Sequence, residues 1–338
     1  VSEYEFDLEE KLKSLKGNEK AKEFLRNEYK LIKIQEKRVK LGKKNNRNKY
    51  SNIVFTGNVG TGKKSILNIL AEMYYSRDMI KSKNIVEIDI REIIGEINSG
   101  LKLEDILNKS LGKIVLIDKA HLLLDINNYK EIISILLKFI DNNKNKIKIV
   151  LSGQKDKMKE LVLLNESLNY RFPIWLDFED YTNIELYEIC LDILTNKGFI
   201  LSKESKDSLK EVIYSLYEND NLKLRNSLMI KNYIEKLVRV QSVRVYDNNI
   251  LQRDINNIEV EDIISSKEIF VNENTFISNN VEPIADNNLK ENYKINNSNE
   301  NLSYDVGNEL LKIKNLYDLG VIDEVEFKIL KGKIINNI

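Results

Sequence analysis

The stretch of sequence that decides the fold is Ile53-Val54-Phe55-Thr56-Gly57-Asn58-Val59-Gly60-Thr61-Gly62-Lys63. From Gly57 to Lys63 it fits the pattern G-x-x-x-x-G-K, placed between a buried strand and the start of a helix, as the pattern requires. Glycines let backbone N–H groups turn inward around phosphate oxygens, and the helix N-terminus and the Lys63 ammonium add positive charge. We therefore predict a phosphate-binding loop, against the alternative of a glycine-rich turn that binds nothing.

Strands and helices alternate around this loop. Aliphatic runs typical of buried strands are separated by helical patterns, which indicates an α/β fold with a parallel sheet covered on both faces. We assign this nucleotide-binding domain to residues 52–180. The predicted strands cover residues 52–56, 84–89, 113–118, 146–152 and 174–178, and helices are predicted at 63–77 and 129–140.

Helices dominate on either side of this domain. A helix that Asn18 can cap runs to about Leu41, within a lead assigned to residues 1–51. After Asp180 the pattern becomes helical again, which predicts a second, smaller domain at residues 181–265. Its helices are predicted at residues 183–197, 205–218 and 224–246.

The last part of the chain has a different composition. Residues 266–304 are rich in Asn and Glu and show no sustained period, so we predict a flexible linker. Residues 305–338 regain a helical pattern, and the run LLKIKNLYDLGVIDEVEF at 310–327 resembles the short SHOCT module. Two short helices bury little surface alone, so we expect them to dock onto a partner or onto copies of themselves. Docking back onto their own chain stays open as an alternative.

The bulk composition excludes several classes of function. Lys and Arg together number 53, as do Asp and Glu, so the net charge of zero gives no general electrostatic case for nucleic-acid binding. We interpret the local basic run at 43–49 as a solvated loop. One cysteine, Cys190, and one histidine exclude a disulfide framework and a zinc cluster. Without an apolar run of ~18 residues or a signal-peptide pattern at the start, we expect no membrane span and a cytoplasmic location.

The position after the loop lysine departs from a working phosphate loop. Active loops carry Ser or Thr there, whose hydroxyl binds Mg²⁺, but this chain has Lys64. Ser65 follows, yet a helix turns by ~100° per residue, which makes it a poor substitute. Mg²⁺ binding is therefore doubtful from the sequence.

A second departure follows the strand at 113–118. Asp118 ends this hydrophobic strand and is the acid expected to hold Mg²⁺ indirectly, if the ion binds. In active ATPases with a phosphate loop, the next residue is a glutamate that deprotonates the attacking water, whereas this chain has Lys119. Relative to the active pattern, the two lysines near the phosphates make the local charge more positive by about two units. We hypothesise that Lys64 partly replaces the metal by pairing with Asp118 or a phosphate. The alternative is that both lysines arose by sequence drift on a surface that no longer has a function.

Four segments in order carry a family resemblance that covers roughly Leu15 to Arg244. They read FTGNVGTGK at 55–63, IDKAH at 117–121, NESLNYRFP at 165–173 and NYIEKLVRVQSVR at 232–244. They resemble FTGNPGTGKT, IDEAY, NPGLRSRFP and RNLxxxAIxxQAxR of the CbxX/CfxQ branch of AAA+ proteins. The resemblance implies a five-stranded parallel sheet with a helical lid domain, and a hexameric ring that holds ATP or ADP between subunits.

The resemblance also assigns individual roles. Arg171 matches the arginine finger that would reach a neighbouring subunit's phosphate, with a purely structural arginine as the alternative. The lid arginine that senses nucleotide falls on Leu228, whereas Asn226 still matches, and Arg225 is left open as a substitute. Ile97 replaces the pore aromatic that would grip a threaded chain. Phosphate-binding positions thus match the family, whereas positions for metal, hydrolysis, sensing and threading do not.

Three readings follow. The first is a nucleotide-binding, hydrolysis-deficient subunit of a protein-remodelling assembly, in a homo- or hetero-oligomer with other AAA+ subunits. The second is an active ATP-hydrolysing chaperone or activase. The third is a nucleotide-free structural adaptor. Within the first reading, residues 57–65 and Asp118 hold the nucleotide, and no sequence feature names a client.

Overall fold

The computed structural model describes residues 6–43, 51–94, 99–126, 129–248 and 254–280. Several sequence predictions lie outside the described residues. They are the SHOCT-like module at 305–338, most of the basic run at 43–49, the linker beyond residue 280 and the pore position Ile97.

Five parallel strands form the central sheet, in the spatial order β2-β3-β4-β1-β5. They are β1 Ile53–Thr56, β2 Val86–Asp89, β3 Ile114–Asp118, β4 Lys148–Gly153 and β5 Ile174–Asp177. The predicted five-stranded parallel sheet is confirmed. Because all strands run the same way, the residues that follow them meet at one edge of the sheet, and in the register Asp89 lies beside Asp118.

Helices cover both faces of the sheet. Alternate strand residues point to opposite sides, and apolar side chains on both sides must be buried. On β3, Val115 and Ile117 belong to one hydrophobic core, and Ile114 and Leu116 belong to the other. This two-sided burial explains the continuous aliphatic runs in the sequence. The helices of this region are α1 Leu8–Lys13, α2 Glu19–Lys40, α3 Lys63–Tyr75, α4 Arg91–Ile94, α5 Ser99–Lys109, α6 Tyr129–Asn142, α7 Lys155–Leu163 and α8 Glu166–Arg171.

A helical lid follows the sheet. Its helices are α9 Asn183–Asn196, α10 Lys203–Tyr217, α11 Asp220–Lys223, α12 Ser227–Asp247 and α13 Val260–Asn280, with a two-stranded parallel sheet of β6 Ile200–Leu201 and β7 Asn257–Ile258. A core of its own joins these helices, with Cys190, Ile213 and Tyr233 fully buried. Burial raises the pKa of the Cys190 thiol, in line with a core-filling role.

The boundary predicted between the lid and a flexible linker at residue 266 is wrong. Helix α13 continues to Asn280 because its middle turns are part of the lid core. Ser266 donates a hydrogen bond to the Tyr233 hydroxyl at 3.1 Å, and the ring of Phe270 meets the ring of Tyr233 edge-on at 5.8 Å. The Asn-rich composition hid these two buried positions. Within the described ranges, no helix combines the length and apolarity needed to cross a bilayer.

Candidate functional site

The predicted phosphate loop connects β1 to α3. Gly57, Gly60 and Gly62 adopt φ values of +137°, +76° and +91°, which lie in the region that favours glycine. Helix α3 begins at Lys63, so the loop leads directly into a helix N-terminus. The local structure is therefore the one that the G-x-x-x-x-G-K pattern predicts.

Lys63 folds back onto the loop that it follows. Its ammonium donates to the carbonyl oxygen of Gly57 at 2.8 Å and to that of Asn58, and it lies 3.3 Å from the Thr61 hydroxyl. Burial lowers the pKa of Lys63 to about 8, although the nearby carboxylates of Asp118 and Asp180 raise it. A phosphate in the loop would give this partly desolvated cation an anionic partner.

Contacts from the lead and from the lid hold carbonyl oxygens of the loop. Asn18, expected to cap α2, occupies the N-cap position with a left-handed backbone, but its side chain caps nothing. Its amide instead donates to the Thr61 carbonyl at 2.8 Å and to the Tyr181 hydroxyl at 3.1 Å. From the lid, the Ser227 N–H donates to the Gly60 carbonyl at 3.2 Å. The lead and the lid thus fix the shape of the loop together, and Tyr181, in the hinge at residues 178–182 between β5 and α9, supports Asn18.

The hypothesis that Lys64 pairs with Asp118 or a phosphate is wrong for Asp118. The Lys64 ammonium forms an ion pair with Glu87 of β2, and its side chain remains 59% exposed. The side chain therefore points along the surface towards the edge strand. Ser65, one position further, is exposed and cannot take the place of the missing hydroxyl without a change of helix face. These residues do not fit a directly ligated Mg²⁺, and no cluster of three or more metal-binding side chains exists among the described residues.

Asp118 and Lys119 lie at the end of β3, where the sequence placed them. Lys119 has a left-handed backbone with φ +54°, and its ammonium lies 2.6 Å from the carboxylate of Asp89. Arg91 also binds this carboxylate, at 2.7 Å. The hydrogen bonds from Arg91 and then from Lys119 hold the pKa of the Asp89 carboxyl well below its usual range.

Sequence reasoning missed both carboxylates of β2. Glu87 and Asp89 each bind one of the two lysines that replace the family's residues. Their charges offset the excess of about two positive units that we inferred from Lys64 and Lys119. The signal available in the sequence was an acidic residue at the end of the strand adjacent to Asp118.

Arg171 lies at the end of the sheet where the strands begin, opposite the end that carries the phosphate loop. Its carbonyl oxygen accepts a hydrogen bond from Asn52, which precedes β1, whereas the phosphate loop follows the last residue of β1. Its guanidinium binds the Asp141 carboxylate at the end of α6, with 3.1 Å between Nε and Oδ1. The structure therefore does not bring Arg171 to the phosphate loop of its own chain.

The start of α12 carries the positions to which the family resemblance assigns nucleotide sensing. Leu228 is 38% exposed and offers no charge to a nucleotide. Arg225 donates to the side chain of Asn274 on α13 at 3.2 Å, so the structure gives this arginine a partner within the lid. Asn226 is fully buried and contacts the phosphate loop, with 3.3 Å between its amide nitrogen and the Val59 carbonyl oxygen.

Comparison with known proteins agrees with this architecture. The description "ATPase family associated with various cellular activities (AAA)" matches residues 53–176, and "AAA lid domain" matches residues 182–271. Stage V sporulation protein K of Bacillus subtilis (strain 168) is 27% identical over 269 residues, which cover 78% of this chain and 83% of that protein. A CfxQ homolog of Galdieria sulphuraria is 29% identical over 221 residues, which cover 63% of this chain and 72% of that protein.

A solved structure shows the same fold at lower identity. A RuvB mutant from Thermotoga maritima has a TM-score of 0.51 and 16% identity, covering 76% of this chain and 71% of that chain. At this identity the likeness concerns the fold alone. The AAA domain match covers the phosphate loop and the parallel sheet, and the AAA lid match follows it on the helical lid. This chain therefore belongs to the AAA+ family of nucleotide-binding proteins.

Proposed function

We propose that this chain binds ATP or ADP in the loop 57–63 and hydrolyses it poorly or not at all, as a hydrolysis-deficient subunit of a protein-remodelling assembly. The observation that carries the proposal is the ion pair of Lys119 with Asp89. In active AAA+ proteins the position of Lys119 belongs to the glutamate that accepts a proton from water. An ammonium donates hydrogen bonds and has no lone pair to accept that proton.

Asp89 does not take over this role. Its carboxylate is bound by two cations, Lys119 and Arg91, which lower its pKa and make it a weak base. A general base works best when its pKa lies near the working pH. The Asp89 carboxylate is therefore unsuited to activate water.

Nucleotide binding without a directly ligated metal is the second part of the proposal. The loop supplies backbone N–H groups, a helix N-terminus and Lys63, which together suffice to hold phosphate oxygens. At the position where a Ser or Thr hydroxyl would complete a Mg²⁺ site, this chain has Lys64, whose ammonium is bound to Glu87. We therefore expect ADP and ATP affinity to depend little on Mg²⁺.

Two measurements on the full chain test the two parts of the proposal. Isothermal titration calorimetry with ADP and ATP, in Mg²⁺ and in EDTA, measures binding, and a phosphate-release assay measures hydrolysis. We expect dissociation constants that agree within about three-fold with and without the metal, and no phosphate release above background. Lys63→Ala should abolish binding, since the ammonium is the only formal charge in the loop itself. Brisk Mg²⁺-dependent release of phosphate by the wild-type chain would contradict the proposal.

The position of Arg171 supports a role in an assembly. It lies where the strands of the sheet begin, at the end opposite the phosphate loop, and its side chain is 24% exposed. From there it can reach the nucleotide site of a neighbouring subunit and not the site of its own chain. We propose that an active AAA+ subunit, or a second copy of this chain, receives Arg171 at its own phosphate loop. The client of such an assembly is not part of the proposal.

A further inference from the structure

Asp180 lies in the short hinge between β5 and α9 and contacts both sides of it. Its carboxylate accepts hydrogen bonds from the side-chain amide of Asn58 in the phosphate loop, at 3.0 and 2.9 Å. It also accepts one from the side-chain amide of Asn226 in the lid, at 2.8 Å. One carboxylate thus joins two asparagines that belong to different domains.

Asn226 is held by more than this one bond. It is fully buried, and its backbone has φ +50° and ψ −132°, a conformation that costs free energy for any residue other than glycine. Its side-chain oxygen accepts a hydrogen bond from the Tyr181 N–H at 2.8 Å. The bonds from the hinge residues Asp180 and Tyr181 therefore stabilise the strained turn from which α12 starts.

The same turn rests directly on the phosphate loop. A Cβ on Gly60 would lie 2.9 Å from the backbone nitrogen of Leu228 and 3.1 Å from that of Ser227, and would overlap the carbonyl oxygen of Arg225. The lid backbone is thus in van der Waals contact with the loop. A shift of the loop on binding phosphate must either move this turn or break its hydrogen bonds.

We propose that Asp180 is a positioning residue that couples the phosphate loop, through Asn58, to the start of α12, through Asn226. The proposal deepens the proposed function, because the state of the loop then sets the position of the lid. In the chain without nucleotide, the coupling already exists as the Asn58–Asp180–Asn226 bridge. Nucleotide in the loop alters one end of that bridge, and α12 responds at the other.

Hydrogen exchange of the Ser227 amide in the nucleotide-free full chain tests the bridge, since this N–H belongs to the lid and bonds to the loop. Asn58→Ala should speed its exchange about ten-fold, as expected for the loss of a hydrogen bond to a charged group. In an Asp180→Ala background, the same Asn58→Ala change should have no further effect. Asn226→Gly keeps the strained backbone accessible but also loses the bonds to Tyr181 and Val59, so it should speed the exchange at least as much as Asp180→Ala.

Two controls separate coupling from general loss of stability. Exchange within α10, whose buried residues belong to the lid core, should stay unchanged in all these variants. Asp156→Ala, at an acid on α7 that is 95% exposed, should leave the Ser227 amide unchanged. Equal acceleration across α10, or effects of Asn58→Ala that add in full to those of Asp180→Ala, would overturn the proposal.

Addition of ADP distinguishes this inference from the proposed function. With wild type, ADP should change the exchange of the Ser227 amide at least about three-fold. With Asp180→Ala the change on binding ADP should be smaller, because only the direct contact of Ser227 with Gly60 remains. If ADP does not bind the wild type, the proposed function fails, and the nucleotide-free cycle still decides the role of Asp180. Binding of ADP with no change at Ser227 in the wild type would count against the coupling alone.

Discussion

Lys119 and Asp89 form an ion pair across the carboxyl edge of the sheet, with 2.6 Å between Nζ and Oδ2. The two residues end adjacent parallel strands, since Asp89 lies in register with Asp118. The site therefore contains a carboxylate, but on the neighbouring strand and bound to cations. This arrangement explains how Lys119 is accommodated after β3 without leaving an unpaired charge.

Replacement of both lysines by the family's residues should restore turnover if the rest of the site is intact. Lys64→Thr with Lys119→Glu supplies a hydroxyl for Mg²⁺ and a proton acceptor for water. We expect phosphate release at least about ten-fold above wild type, measured at saturating ATP and Mg²⁺. The control is Lys64→Thr with Lys119→Met, which removes the ion pair to Asp89 without adding a base and should stay at background. Equal turnover in the two double variants would show that Lys119 does not determine hydrolysis.

Nucleotide affinity should fall as the pH rises above 8. The pKa of Lys63 is lowered to about 8 in the free protein, and a bound phosphate stabilises the ammonium and raises this pKa. Binding at or above pH 8 is therefore coupled to proton uptake, and affinity for ADP should drop by up to about ten-fold per pH unit there. Calorimetry in two buffers of different ionisation enthalpy measures the protons directly. In Lys63→Arg the slope should vanish, whatever the remaining affinity.

The tight contact between the loop and the lid can be tested with a pair of glycines. Gly60 and Gly42 have similar backbones, with φ +76° and +70°, but a Cβ on Gly42 would meet no atom of the described residues within 4 Å. Gly42→Ala should therefore cost only the backbone strain, about 1 kcal/mol of unfolding free energy. Gly60→Ala should cost at least about 1 kcal/mol more, because the methyl group collides with the start of α12. Urea denaturation of both variants measures the difference, and equal losses would contradict the packing.

Lys148 should make stability depend on pH in the alkaline range. This residue of β4 is fully buried and donates to the Ser51 carbonyl at 2.7 Å and to the Tyr74 hydroxyl at 3.1 Å. Burial lowers its pKa from 10.5 to about 8. Between these two values the unfolded chain binds a proton that the folded chain does not, so stability rises with pH, by up to about 3 kcal/mol.

The comparison with Lys148→Met isolates this effect. Lys63 has a lowered pKa as well and contributes a pH dependence of the same sign in both proteins. The difference in unfolding free energy between wild type and Lys148→Met should therefore shift in favour of wild type from pH 8 to pH 10. A constant difference across this range would mean that Lys148 is not neutralised in the folded protein.

The strands and the phosphate loop were predictable from the sequence because their signals are local. Runs such as Ile114–Asp118 are aliphatic on both faces, and the loop has glycines at fixed spacing before a helix. The end of the lid was not predictable, because Phe270 and Ser266 are buried by contacts with Tyr233, far away in the sequence. Composition alone made this segment resemble a linker.

The partners of the site residues were equally hidden. Sequence spacing placed Lys64, Lys119 and Asp118 near the loop, but could not say which carboxylates the lysines bind. Glu87 and Asp89 come close through strand order, and Asp180 comes close through the hinge. Such pairings depend on tertiary geometry and leave no periodic signal. Of the two hypothesised partners of Lys64, Asp118 is therefore wrong, and a phosphate stays a prediction.

The buried position of Cys190 makes the chain convenient for site-specific labelling. It is the single cysteine of the chain, and its shielded thiol is a poor nucleophile towards maleimide or iodoacetamide reagents. A cysteine introduced at an exposed position of the lid, and another on the sheet domain, would then carry the fluorophores without removal of the native residue. Distances between the two dyes would report lid movement in single molecules.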